Sequence, residues 1–244
     1  MTLMRILLNR LLRAVLIGVF VSSLQGCTPL YVSDDSITST PRAQSFDAAA
    51  MASQPIAVAG IIAPPGLEGF SASLSLALVA ATDETRPPIQ AIPPYRTLSL
   101  LNEKGLARDY ADLISGYSPG GILDRQRLRR IGSRLGSRYL MLPGLAEFNQ
   151  TVVDKFELLG IKALRSRITT LRLWLQLWDT ETGQIVWESG GEVTAVTPLL
   201  RAKRTVPFNL IAQKLWLQMI QEGLLGGKTE NRLFETEEEN QRQQ

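Results

Sequence analysis

The sequence has no histidine among its 244 residues. Histidine is the usual proton carrier near neutral pH and a common metal ligand. Its absence excludes Ser-His-Asp catalysis, Cys-His catalysis and every histidine-ligated metal site. Only carboxylates, lysine, serine, threonine and tyrosine remain for chemistry, so we expect no metal and no cofactor.

The sequence also lacks several short motifs that mark common enzymes. It contains no P-loop, no GxGxxG and no SxxK pattern. Its carboxylates are scattered, and no pair lies in a context that suggests the raised pKa of a general acid. We therefore predict that the protein is not an enzyme. A hydrolase remains open only if two carboxylates converge in a cleft.

Cysteine is almost absent as well, and the single one, Cys27, follows an apolar run near the amino terminus. Arg5, Arg10 and Arg13 precede that run, and Leu24, Gln25 and Gly26 come directly before the cysteine. Basic residues, a short apolar segment and small residues form a secretory signal. The order predicts a lipobox, with Cys27 as the lipidated residue and the membrane anchor. An ordinary signal peptide with a chance cysteine is the alternative.

Processing at Cys27 would change the charge and fix the compartment. Removing residues 1–26 takes away three arginines, so the formal net charge of +3 falls to about zero. The basic pI is therefore no nucleic-acid signature, and we expect no nucleic-acid partner. Without another cysteine, the exported chain must be stable without disulfides. Thr28, where aspartate favours inner-membrane retention in sorted lipoproteins, indicates the outer membrane.

Composition divides the chain into four parts. Residues 1–26 are the predicted signal peptide. Residues 27–54 are rich in Ser, Thr, Ala, Asp and Pro, which indicates a flexible linker. Residues 55–227 carry the periodic apolar patterns of a globular domain. Residues 228–244 form a polar, mostly acidic tail that we expect to be disordered.

The globular part predicts an α/β fold, an α+β sandwich whose elements run β-α-β-α-β-β-β-α. Short apolar runs at 55–62, 89–92 and 139–148 indicate strands, and residues 149–165 show no sustained period. Residues 67–82, 95–115, 122–137 and 207–222 have helical spacing, with a break near Gly105 and a loop at 116–121. We expect a mixed sheet of about five strands with helices packed on it.

The clearest hairpin joins residues 166–178 to residues 184–196 through a turn at 179–183. Leucines occupy alternate positions from Leu171 to Leu177, so we expect them on the core face. Trp174 and Trp178 fall on the other face with polar neighbours. That face is either covered by a helix, which we favour, or an interaction surface.

The helix at 122–137 is the second candidate surface. Its basic residues include Arg125, Arg127, Arg130 and Arg134, and its apolar stripe faces the sheet. The arginines either form a patch for an anionic glycan, a lipid headgroup or an acidic protein, or they only keep the helix soluble.

Two segments resemble known envelope proteins. They are Ile131-Gly-Ser-Arg-Leu-Gly-Ser-Arg-Tyr139-Leu140 and the hairpin Trp178-Asp-Thr-Glu-Thr-Gly183-Gln-Ile-Val-Trp187. The pattern resembles the curli-secretion lipoprotein CsgG, the penicillin-binding-protein activator LpoB and the amino-terminal domain of TolB. The resemblance implies an α/β fold and carries no catalytic residues.

These features together predict a lipid-anchored, non-enzymatic periplasmic protein that binds a protein partner in envelope assembly or maintenance. The alternative is a ligand-binding or transport-accessory lipoprotein for a small anionic or glycan molecule. A flat apolar patch would favour the first, and an enclosed pocket the second.

Overall fold

The computed structural model describes residues 32–44, 46–158, 161–198 and 207–229. Cys27, the lipobox residues and most of the predicted tail lie outside these ranges. Six strands form one sheet: β1 (Val32–Ser39), β2 (Ile56–Val58), β3 (Ala91–Ile92), β4 (Tyr139–Leu158), β5 (Ile161–Asp179) and β6 (Gln184–Pro198). Six α-helices accompany them: α1 (Ala48–Ala52), α2 (Ser71–Glu84), α3 (Pro94–Glu103), α4 (Ala107–Gly120), α5 (Arg125–Leu135) and α6 (Phe208–Gln218).

The sheet is mixed, with strand order β1-β6-β5-β4-β2-β3. Strand β2 is parallel to both β3 and β4, whereas β4, β5, β6 and β1 are antiparallel neighbours. The predicted α/β class and the predicted mixed sheet are thus confirmed. Among the described residues, no helix has the length and apolar character to cross a membrane.

Strand β1 corrects the predicted linker. Residues 32–39 pair along their whole length with β6, from Val32 opposite Val196 to Ser39 opposite Ser189. Helix α1 follows, capped by the Asp47 carboxylate, and its Met51 is fully buried. Residues 32–54 therefore belong to the domain. Their Ser/Thr-rich composition hid a strand because β1 lies at the sheet edge, where polar and charged side chains are common.

The hairpin of β4 and β5 corrects a second expectation. Residues 149–158 continue β4 and residues 161–165 begin β5, and the pairing extends from Tyr139 opposite Asp179 to Leu158 opposite Ile161. Register shifts occur near Leu145, Asp154 and Phe156. Such bulges break the period of two that identifies a strand in a sequence, so the segment has no regular pattern.

Most other elements lie close to their predicted positions. The helical segment at 95–115 is divided at Gly105, as expected, into α3 and α4. Helix α4 continues to Gly120, however, through the predicted loop at 116–121, and ends at Gly121 in the left-handed conformation. After α6, a π-helical turn (Met219–Leu224) replaces the end of the predicted helix.

Two apolar clusters hold the layers together. On one side of the sheet, α2, α6 and the π-helical turn pack on the alternating leucines of β5, from Leu171 to Leu177, which are at most 2% exposed. On the other side, α3, α4 and α5 pack on β2 and β4, with Leu128 and Ile131 of α5 buried. The leucines therefore line the core, as predicted.

The turn between β5 and β6 locks the end of α5 to the sheet. The Asp179 carboxylate accepts hydrogen bonds from the backbone N–H groups of Glu181 (2.9 Å) and Thr182 (3.2 Å), and the Arg138 guanidinium donates to it at 3.1 Å. Gly183 closes the turn with a φ of 73°, as its predicted role requires.

Candidate interaction surface

The basic helix α5 is held by its own caps and by the neighbouring helix. The Asp124 carboxylate caps its first turn by accepting from the Arg127 N–H at 2.8 Å. The Arg127 guanidinium also lies 3.3 Å from Asp112, and that of Arg130 lies 3.0 Å from Asp109, both on α4. Two of the four predicted arginines are therefore engaged within the protein.

The other two arginines face outwards. Arg125 is exposed and Arg134 is largely so, and Arg125 also lays its methylene groups against Gly183. No ion pair forms at either residue with the part of the chain that the structure describes. The positive surface of α5 is thus smaller than the sequence indicates, because α4 neutralises its central part.

Trp178 is not part of an interaction surface. It is only 3% exposed and packs in the apolar cluster beneath α4 and α5. Its indole N–H donates to the side-chain oxygen of Gln176 at 3.0 Å. Of the two alternatives for the tryptophan face, cover by a helix is therefore correct at Trp178.

Trp174 lies at the border of that cover. The ring rests on Gly144 of β4, where a Cβ atom would overlap the indole, and it stacks on Tyr117 of α4 at a centroid distance of 6.0 Å. Trp174 remains partly exposed. Of the two predicted tryptophans, only this one reaches the surface.

Beyond Trp174, one side of the sheet is open. On this side β6 presents Glu188, Gly190, Glu192 and Thr194, all partly exposed, while the residues between them are buried on the opposite side. Thr38 of β1 lies opposite Gly190 and is exposed. We call this area the open sheet face: Thr38, Glu147, Thr170, Arg172, Trp174, Glu188, Gly190, Glu192 and Thr194.

Arg172 is the centre of the open sheet face. Its guanidinium joins three strands, with Glu147 of β4 at 2.9 Å and Glu192 of β6 at 2.7 Å. The hydrogen bond and charge of Glu192 raise the pKa of Arg172 above its ordinary value. The residue is half exposed, so the pairs hold the side chain in place over the strands without removing it from solvent.

A buried amide joins the open sheet face to the helices. The Gln176 side-chain oxygen accepts from the Tyr117 hydroxyl at 3.1 Å and from the Trp178 indole, and its amide nitrogen donates to Glu188. Burial, followed by the charge of Glu188, raises the pKa of Tyr117. The network fixes the rim of the surface next to Trp174. Spacing alone could not reveal it, because its members come from three distant segments.

The arrangement is suited to contact with another surface. Its charged groups are ion-paired or hydrogen-bonded above the strands. Among the described residues, no three His, Cys, Asp or Glu side chains lie close enough together to hold a metal ion.

Two clefts elsewhere are open to solvent. A cleft of about 580 Å³ is lined by Arg42, Phe46, Pro87 and Leu225 among others. A second, of about 480 Å³, is lined by Glu84, Arg86, Lys214, Leu217, Gln221, Lys228 and Thr229. Neither contains residues of the open sheet face.

Three solved structures resemble the chain at low sequence identity. No family model and no curated protein matches the chain. Two structures of the PelC dodecamer from Paraburkholderia phytofirmans, one of them of a single-residue variant, each share 12% identity with it. Each match covers 77% of this chain and 96% of the other, with TM-scores of 0.44 and 0.40. The lipoprotein GNA1162 from Neisseria meningitidis shares 16% identity over 57% of this chain and 81% of its own, with a TM-score of 0.38.

One of these matches is itself a bacterial lipoprotein. At such identities and TM-scores, no functional residue is carried over from any of the three. The resemblance to CsgG, LpoB and TolB stays a prediction from the two sequence segments.

Proposed function

We propose that the protein is a lipid-anchored, non-enzymatic component of the bacterial cell envelope that binds a protein partner through the open sheet face. The observation that carries this proposal is the uneven cover of the sheet. Helices cover one side of β5 and β6, whereas on the other side the cover ends near Trp174 and paired side chains beyond it face solvent. A partly buried aromatic side chain bordered by polar groups is a common arrangement at recognition surfaces.

The location that we propose for the protein rests on Cys27. Acylation of that residue would anchor the protein, and more than one acyl chain gives stable attachment. Thr28 supports the outer membrane as the destination, and the partner would belong to an envelope-assembly or envelope-maintenance complex. Cys27→Ser tests the membrane attachment. We expect mass spectrometry to show that the variant is not acylated, and we expect it to leave the membrane fraction.

Site-specific crosslinking in intact cells tests the binding surface. A photoreactive amino acid at Glu192 lies on the open sheet face, and the matched control is Leu76 of α2, which is 69% exposed on the opposite side. We expect one crosslinked protein at position 192 that is absent at position 76. Arg172→Glu should abolish that product. Identical products at both positions, or a product that survives Arg172→Glu, would contradict the assignment.

A second function, binding of a small anionic molecule, is favoured by the cleft of about 480 Å³. Three basic residues, Arg86, Lys214 and Lys228, line it together with the acidic Glu84. The buried Gln221 holds the Arg86 backbone from both sides, accepting from its N–H at 2.8 Å and donating to its carbonyl at 3.2 Å.

Calorimetric titration with inorganic phosphate tests this second function. The Lys214→Glu and Arg86→Glu variants should lose the binding that wild type shows. Arg125→Glu, on the unrelated basic helix, is the matched control and should retain it. Absence of heat with wild type would remove the cleft as an anion site.

A further inference from the structure

The first strand and the β4–β5 hairpin meet at one end of the molecule. Val32 begins β1 opposite Val196, Val196 lies opposite Ile168, and Ile168 lies opposite Thr151. These four residues form a line across the sheet. Strand β1 runs away from this line, whereas β4 and β5 continue past it. The chain therefore enters the domain at the end from which the hairpin projects.

The projecting part is a two-stranded ribbon. Beyond Ser166, which lies opposite Pro198, β5 has β4 as its one ladder partner within the described residues. From Glu147 onwards β4 likewise pairs with β5 alone in the part of the chain described. We define the membrane ribbon as residues 154–158 and 161–165. Leu158 is seven positions beyond Thr151, so the ribbon reaches about 23 Å past the line where β1 begins.

The predicted anchor is separated from β1 by only a short length of chain. Only four residues, Thr28 to Tyr31, separate Cys27 from β1. Even fully extended, the chain from Cys27 to Val32 spans at most about 17 Å. The ribbon therefore reaches farther past the start of β1 than the anchor can, so a lipid on Cys27 would leave the end of the ribbon within reach of the bilayer surface.

The ribbon has the composition of a segment at a lipid interface. In register, Phe156 lies opposite Leu164, and Leu158 lies opposite Ile161, so apolar residues occupy paired positions near the end. Half of the ten residues are apolar, and Lys155, Lys162 and Arg165 outnumber the carboxylates Asp154 and Glu157, which lie opposite Arg165 and Lys162. Apolar residues next to lysine and arginine favour the boundary between headgroups and acyl chains. In a protein surrounded by water, paired apolar residues at the far end of a two-stranded ribbon would gain little, because such a ribbon has no core of its own.

We propose that the end of the membrane ribbon binds the lipid surface to which Cys27 attaches the protein. The inference rests on the anchor in the proposed function, and it makes the domain a module held against the membrane at two points. Because about 23 Å is less than the hydrocarbon thickness of about 30 Å, the contact is at the interface. The open sheet face would then have a fixed orientation relative to the membrane.

A fluorescence experiment tests the ribbon without the lipid. The chain from residue 27 with Cys27→Ser has no other cysteine, so Leu158→Cys accepts a single environment-sensitive fluorophore. Glu181→Cys is the matched control, because that exposed residue lies in the β5–β6 turn at the opposite end of β5. Vesicles of phosphatidylethanolamine and phosphatidylglycerol should shift the emission to the blue at position 158 and leave position 181 unchanged. No shift at 158, or equal shifts at both positions, overturns the proposal.

A sedimentation experiment measures the contribution of the apolar pairs. Phe156→Asp combined with Ile161→Asp should lower partitioning of the unlipidated protein onto the same vesicles by at least about tenfold. Ile122→Asp, at an apolar residue 72% exposed before α5, is the control and should have little effect. Circular dichroism checks that the variants fold. Unchanged partitioning of a folded double variant overturns the proposal. Since no acyl chain is present, failure here is distinct from failure of Cys27 to be acylated in cells.

Discussion

The two sides of β5 differ although they belong to one strand with one period. On one side, Leu171, Leu173, Leu175 and Leu177 are at most 2% exposed under α2 and α6. On the other side, cover ends part-way along the strand: Trp178 is buried, Trp174 is partly exposed and the Arg172 side chain is 50% exposed. One side therefore stabilises the fold. The other side changes from core to surface between Trp178 and Arg172.

That change shows which residues of β5 stabilise the domain and which are available for recognition. Apolar burial contributes roughly 25 cal/mol per Å² removed from water, so the leucine side contributes strongly. Exposed ion pairs such as those of Arg172 contribute little. Substitutions on the two sides should therefore have opposite consequences: the leucine side determines the free energy of unfolding, and the open sheet face determines binding.

Leu173→Ala on the leucine side is expected to have the largest effect. Removing a fully buried leucine side chain from packed surroundings costs about 2–5 kcal/mol of unfolding free energy. Thr38→Ala, at an exposed position of the open sheet face, should change it by less than about 0.5 kcal/mol. Urea denaturation of both variants measures the difference. Similar losses would contradict the distinction between the two sides.

Gln176→Leu tests the border between them. Leucine would fill the space, but the Tyr117 hydroxyl and the buried Trp178 N–H would lose the oxygen to which they donate. An unsatisfied buried donor costs about 1–3 kcal/mol. Gln176→Glu, which retains an acceptor oxygen but faces Glu188, is the companion variant. If Gln176→Leu were as stable as wild type, the network would have no structural role.

The leucine side was predictable from the sequence, and the open side was not. Four leucines at alternate positions define a core face directly, and the turn at 179–183 identifies the hairpin that contains it. The extent of helix cover depends on where α4 ends relative to Trp174. That position is set by contacts between residues distant in the chain, such as Tyr117 and Trp174, to which local periodicity is insensitive.

Edge elements were the other features that sequence patterns missed. Strand β1 consists mainly of Ser, Thr and Asp, and β4 contains bulges. Both resemble loops because their stability comes from pairing with β6 and β5, not from an apolar pattern of their own. Contacts between distant segments also explain why the predicted basic surface of α5 is smaller than expected. The arginines of α5 are evident in the sequence, but their aspartate partners on α4 are recognisable only once the helices are packed.

Tyr110→Phe tests the helix cover that α4 provides on the side of the sheet opposite the leucines. The Tyr110 hydroxyl accepts from the Gly60 N–H at 2.9 Å, so its removal should cost about 1 kcal/mol at neutral pH. Burial raises the pKa of Tyr110 above 10.0, outweighing the Gly60 hydrogen bond that lowers it.

The pH dependence of that cost has a definite sign. In the unfolded chain the tyrosine ionises near its ordinary pKa, whereas the folded protein keeps the proton, so wild-type stability falls as the pH rises above about 10. Tyr110→Phe lacks this loss, and the difference between the two proteins should shrink with rising pH. Thermal denaturation from about pH 7 to about pH 11 measures it. A constant difference would show that Tyr110 does not titrate differently in the folded state.

Arg172→Ala is expected to have the smallest effect on stability and the sharpest effect on function. The guanidinium pairs with Glu147 and Glu192 while half exposed, so salt and water already weaken both pairs, and thermal denaturation should show no measurable change. Loss of the residue leaves two carboxylates unpaired at the centre of the open sheet face, which should weaken binding of a complementary surface. Crosslinking from position 192 should therefore decrease while the melting temperature stays constant. A variant that unfolds earlier but still crosslinks would reverse the assignment, making Arg172 part of the fold and moving recognition elsewhere.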